Sequence, residues 1–231
     1  MALFEKTDSF LGRYKRIVPV TKALKPVFNI MFYILCVMLA LFIIIAFIMI
    51  FVNVDVDKML LPPDMNAIKD SAGSITSYSL KLGNGIQIIS PASEVTLTHV
   101  KLVIYAKLCA WCVTFLCAAP VFKLISMLFA NISKNKVLCE DNAKYINYTG
   151  IIIIVGDFLF TLVSNVFNYE QVRRFVTSAE VDYSFDIQWF GIIMGLFIIV
   201  IGTIYGYACS VANNAERNEQ SVNIIKTEST K

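Results

Sequence analysis

Charge is scarce in this sequence. Lys, Arg, Asp and Glu make up only 16% of the 231 residues, where a soluble domain carries about 25%. With 57% hydrophobic residues and a mean hydropathy of +0.68, the shortage excludes an ordinary soluble globular domain. The formal net charge of +3 is too small a cationic excess for direct nucleic-acid binding. Histidine is scarcer still: His99 stands alone, among polar loop residues. No GxSxG, P-loop, HExxH or spaced carboxylate cluster occurs. The chain is therefore expected to be no enzyme, with no cofactor and no metal. Six cysteines are present, at 36, 109, 112, 117, 139 and 209. None falls in the two segments assigned outside the membrane, which excludes a disulfide framework. The "CAWC" of Cys109 and Cys112 sits in an apolar helix, where small packable side chains are the ordinary explanation.

Long apolar runs are what the sequence does have. About 20 apolar residues cross the hydrocarbon core as a helix, and four stretches qualify: about 27–54, 102–132, 145–169 and 187–211. The first, "VFNIMFYILCVMLALFIIIAFIMIFVNV", carries no charge; the second is interrupted by Lys107, Pro120 and Lys123. The expected fold is an all-α membrane protein, a single membrane domain built as a four-transmembrane-helix bundle. The polar leader is too long, and the first span too long, for a cleavable signal peptide, so that span is expected to remain.

Lysine and arginine set the orientation. Six lie in the leader up to Lys25, three in "SKNKVLCEDNAKY" and three after Val211. The two remaining loops share six, and they also hold nine of the seventeen acids. Both termini are therefore expected inside, N-in/C-in. The leader carries Phe10, Leu11, Tyr14, Ile17 and Val18 at helical spacing. That pattern predicts a short surface helix ended by Pro19, or else an ordinary basic flank, with Pro26 in the first turn of span one. The extracytoplasmic loop 55–101 contains "SYSLKLGNGIQIIS", whose alternation around Gly-Asn-Gly predicts a β-hairpin over 77–90. The preceding "LPPDMNAIKDSAG" is expected to be irregular or a short helix. The hairpin is expected to cap the bundle, with ligand sensing as the alternative. The tail 212–231 is expected to be a disordered cytoplasmic segment.

Lipid gives helices no hydrophobic reason to associate, so small and polar residues must join them. Gly191, Gly195, Gly202 and Gly206 form one stripe on span four, either a groove for a neighbouring helix or a homodimer seam. Asp157, Thr161, Ser164 and Asn168 form a polar stripe on span three. A charge facing lipid is costly, so that stripe should face inward or toward water. Lys123 lies at a similar depth on span two, within roughly one helical turn, which predicts a Lys123–Asp157 pair, direct or water-bridged. Lys107 is expected to snorkel to the surface, and Pro120 to kink span two. No inverted repeat or broken span of the transporter kind is visible.

Residues 128–150, "LFANISKNKVLCEDNAKYINYTG", carry a resemblance. Phe129, Asn131, Ile132, Lys136, Leu138, Asn142, Lys144 and Gly150 fit the pattern of a family of small bacterial four-helix membrane proteins, domain-of-unknown-function family 2975. Leu138 stands where that family usually has phenylalanine, and Tyr145 where it has a second basic residue. The tail segment "ANNAERNEQSVNII" is similar to the family's end. The resemblance implies a multi-pass protein of the bacterial cytoplasmic (inner) membrane with no known reaction. It also implies a partner, since members' genes often neighbour one for a small helix-turn-helix transcription regulator. Glu140 and Asp141 can cap span three where acids favour a helix N-terminus, and a tight connection alone would equally explain the loop. The expectation is a non-catalytic regulatory or accessory membrane protein, set in the lipid bilayer and meeting a cytoplasmic DNA-binding regulator. The alternative is a transporter, ion-handling or peptide-immunity protein using the stripe around Asp157.

Overall fold

A computed structural model of the chain describes residues 2–53, 56, 61–82, 87–176, 185 and 187–228. Four long helices dominate: α1 (Ala2–Phe51), α2 (Leu97–Ser133), α3 (Glu140–Phe175) and α4 (Phe190–Glu228). Between α1 and α2 lie three strands, β1 (Met65–Lys69), β2 (Ile75–Lys81) and β3 (Gln87–Pro91). Each helix contains a segment long and apolar enough to cross a membrane, of 33, 37, 36 and 26 residues in chain order. Phe47, Ile48, Phe197 and Ile204 are all more than half exposed. Water would oppose such faces on a monomer, and lipid accommodates them.

Two features of the helices differ from the sequence expectation. No break occurs at Pro19: α1 runs through both Pro19 and Pro26. A proline deletes one backbone hydrogen bond and costs about 3 kcal/mol in a helix interior. The twenty-five or so apolar residues that follow carry the helix past that local loss. The tail is likewise not without structure, because α4 continues to Glu228. "ANNAERNEQSV" contains no proline or glycine to stop it.

The chain divides into two compact units. The first comprises residues 1–35, 117–155 and 189–231, and its described regular structure is all helix. Within it α1 and α2 pair antiparallel. Phe28 sits 5.7 Å from Phe122 and 5.3 Å from Phe129, ring centre to ring centre, and Ser126 Oγ donates to the Lys25 carbonyl. α3 and α4 also pair antiparallel, and here the glycine stripe finds its use. A Cβ at Gly195 would lie 2.7 Å from the Gly150 carbonyl oxygen, and one at Gly150 would lie 2.6 Å from that of Gly195. Further along, Gly202 meets Asn147 and Gly206 meets the Ala143 methyl. The face offered by Gly195, Gly202 and Gly206 is thus a groove filled by α3 of the same chain. That corrects the dimer-seam alternative at these three positions.

The second unit comprises residues 36–116 and 156–188. Its strands form one antiparallel sheet in the order β1-β2-β3. β2 and β3 pair from Ser77↔Pro91 to Lys81↔Gln87, so the expected hairpin strands are present. Its Gly-Asn-Gly turn lies outside the described residues. The stretch expected to be irregular or helical instead supplies β1, which pairs with β2 from Met65↔Leu80 to Lys69↔Ile75. Its turn explains why. Asp70 Oδ1 accepts from the N–H groups of Ala72 and Ser74, each at 2.9 Å, and Gly73 adopts φ 85°. An aspartate that folds back on its own backbone and a glycine free to take positive φ make "DSAG" a turn.

Tyr78, Leu80 and Ile88 of the sheet pack with Val100 and Val103 of α2 and Val172 and Phe175 of α3 in one apolar core. Ser90 Oγ donates to the Phe175 carbonyl at 2.8 Å, satisfying a helix-end carbonyl that has no partner further along. At the start of α2, the Thr96 N–H donates to His99 Nδ1 at 3.0 Å, so the single histidine closes a helix N-terminus. The sheet therefore sits as a cap on the ends of two helices.

Candidate functional site

Two places gather the polar residues of the chain, one in each unit. The first is a cavity of about 230 Å³ in the second unit. α3 positions its wall. Thr161, Ser164 and Asn168 of the predicted stripe all line it, as spacings of three and four residues on one helix face require. Asn165 and Gln171, each more than nine-tenths buried, lengthen the same face. The periodicity of the stripe already passes beside them. Asp157, the fourth member, is not among the lining residues.

Opposite α3, Lys107 of α2 lines the cavity and pairs with Asp64 at 2.5 Å. The half-exposed Lys107 side chain thus reaches an acid of loop 55–101, a partner the sequence reading did not name. Asp64 precedes β1, a strand the sequence did not predict, so no acid was placed near the lysine. Lys81 of β2 and Gln188 complete the polar lining, with Val103 and Phe160 among the apolar residues. One buried hydroxyl in the wall, Thr161 Oγ1, has no hydrogen-bond partner. Thr114, Thr149 and Thr203 instead turn back to the carbonyl four residues earlier, the usual solution for a hydroxyl in an apolar helix.

No direct Lys123–Asp157 ion pair occurs among the described residues. The Lys123 ammonium donates to Asn29 Oδ1 at 2.9 Å and lies 5.2 Å from the centre of the Phe32 ring. Asp157 Oδ2 is buried without a hydrogen-bond partner. Equal depth along two helices fixes height but not azimuth. The lysine turns toward α1, whose Asn29 is an acceptor in an otherwise uncharged run.

The second place is the connection between α2 and α3, in the first unit. Residues 131–136 close α2 with a Schellman motif. Asn135 takes φ 63°, its N–H bonds the Ile132 carbonyl, and the Lys136 N–H bonds the Asn131 carbonyl, both at 3.0 Å. Asn142, with no exposed surface, then ties the loop from within. Its Oδ1 accepts from Asn131 Nδ2, and its Nδ2 donates to the carbonyls of Lys136 and Val137, all at 2.9 Å. The Tyr205 hydroxyl of α4 also donates to the Val137 carbonyl. Glu140 and Asp141 occupy the first turn of α3, where the helix dipole favours acids. Lys144 lies 3.9 Å from Asp141, both largely exposed, so that pair adds little.

The predicted loop motif thus comes together in part. Asn131, Lys136 and Asn142 form one network, and Phe129 anchors on Phe28. Glu140, Asp141 and Lys144 stay at the surface. Tyr205 was missed, since nothing in the local sequence links it to a loop 68 residues earlier. Leu138 stands about half exposed at the crest.

Comparison with protein-family models, with curated proteins and with solved structures finds no match for this chain.

Proposed function

We propose that this chain is a non-catalytic, multi-pass membrane protein of regulatory or accessory role, which presents its α2–α3 loop to a cytoplasmic partner. The observation that carries this is the construction of the loop. A mere connection needs no fully buried asparagine making three hydrogen bonds. This one has it, and the same tied loop exposes an apolar side chain, Leu138, while Lys134, Lys136 and Lys144 are exposed as well. Pre-organised display of an apolar contact with a charged rim is what a protein partner exploits.

Lysine and arginine counts support a topology with this loop and both termini on the cytoplasmic side and loop 55–101 outside. The resemblance of residues 128–150 supplies the kind of partner, a small helix-turn-helix transcription regulator, and the bacterial inner membrane as location. The test is a photocrosslinking amino acid in place of Leu138 in the full chain. It is expected to capture one soluble DNA-binding protein, and Leu138→Asp is expected to weaken that partner's retention by about tenfold or more. Crosslinks to lipid alone, or retention unchanged in the variant, contradict the proposal.

A transport, ion-handling or peptide-immunity role is the second reading. The observation in its favour is that Thr161, Ser164 and Asn168 line one polar cavity.

A further inference from the structure

The cavity in the second unit has a recognisable chemistry, and it is independent of the loop. Its polar walls are built from neutral hydrogen-bonding groups, the hydroxyl of Ser164 and the amides of Asn168, Gln171 and Gln188. Its charged lining residues are two lysines and one aspartate. Asp64 is already engaged by Lys107 at 2.5 Å, whereas Lys81 makes no ion pair among the described residues. The lining therefore carries one positive charge in excess, beside several donors able to share an anion's oxygens. A volume of about 230 Å³ is the space of roughly seven or eight water molecules. That is below the size of ordinary drug-sized pockets. It leaves room for a metabolite-sized solute. Val103 and Phe160 give that solute an apolar wall.

We propose that this cavity binds a small organic oxyanion, a carboxylate or phosphate, with Lys81 supplying the charge and the Ser164, Asn168 and Gln171 side chains the hydrogen bonds. The anion replaces water at groups that are already positioned, so the ordering cost falls on the ligand alone. The Lys107–Asp64 pair holds the segment before β1 against α2 and thereby shapes one side of the site.

The test uses the full chain in phosphatidylcholine nanodiscs, with its thermal midpoint followed against four probes: succinate, glycerol 3-phosphate, glucose, and sodium chloride at matched ionic strength. At least one of the two oxyanions is expected to raise the midpoint by about 4 °C at millimolar concentration. Glucose and chloride are expected to leave it unchanged. Lys81→Gln and Ser164→Val are each expected to remove most of the rise, and their unliganded midpoints report whether they fold. The experiment is repeated in discs containing phosphatidylglycerol. Loss of the response there identifies a lipid headgroup phosphate as the resident anion, and its persistence identifies a free solute. The proposal is overturned if neither oxyanion acts, if glucose or chloride acts equally, or if the folded variants respond as the parent does.

Discussion

Replacing Gly195 by alanine is expected to destabilise the chain by about 3 kcal/mol, more than the same change at Gly202 or Gly206. The ranking follows from what the new methyl would meet. At Gly195 it would lie 2.7 Å from a backbone oxygen, that of Gly150, and 2.5 Å from Ile154 Cγ1. A carbonyl inside a helix cannot turn aside, so α3 and α4 must separate, and close approach is what holds helices together in lipid. At Gly202 the main obstacle is the Asn147 side chain, with the Asn147 backbone nitrogen at 3.1 Å. A side chain can move, and about half the loss is expected there. At Gly206 the neighbour is the Ala143 methyl at 3.4 Å. Alanine also gains up to about 1 kcal/mol of helix propensity over glycine, so Gly206→Ala should be close to neutral. Unfolding midpoints of the three variants in mixed detergent–denaturant micelles check this order. Equal losses at all three positions would show that the groove is not set by backbone contact.

Asn142→Ala is expected to have the next largest effect, about 3 kcal/mol, concentrated in the loop. The variant leaves the Asn131 amide and the Lys136 carbonyl only their long contacts with the Cys139 sulfur, at 3.9 and 3.6 Å, while the Val137 carbonyl keeps the Tyr205 hydroxyl. Asn142→Asp is expected to be as damaging. It preserves the shape and the acceptor for Asn131, but it turns an oxygen toward two carbonyls that now receive a donor. Trypsin reads the consequence at Lys134 and Lys136. Opening made easier by about 3 kcal/mol corresponds to cleavage roughly a hundredfold faster. Cleavage at the parent rate in both variants would mean that the amide network does not hold the loop.

How much of this was legible in the sequence depended on the range of the interactions. The four spans were read from run length alone, because crossing lipid is a local requirement that each segment meets by itself. The polar stripe was likewise local, and Thr161, Ser164 and Asn168 do share a cavity wall. The partners of the charges were not local. Lys123 found Asn29 and Lys107 found Asp64. In each case the deciding quantity was the rotation of one helix about its axis, or a strand not foreseen, and no periodicity contains it. β1 was overlooked because "MNAIK" is short and weakly alternating. Its signal lay in the following "DSAG", an aspartate and glycine spaced to turn the chain. Gly150 shows the same limit in another form. A lone glycine gains meaning only when Gly195 is known to face it. The helical tail was misread for a different reason: polarity was taken for disorder, although nothing in residues 212–225 breaks a helix.

The proposed topology follows from the lysine and arginine counts, which lead one to expect loop 55–101 outside and the α2–α3 loop and C-terminal tail in the cytoplasm. Single cysteines at Ser71, in the exposed β1–β2 turn, and at Ser221, exposed on α4, test it directly in a background whose native cysteines are replaced. An impermeant maleimide added to intact cells is predicted to label position 71 at once, and position 221 only after the membrane is opened. Labelling of both positions from the same side would contradict the account, since α2, α3 and α4 would then cross the bilayer an even number of times.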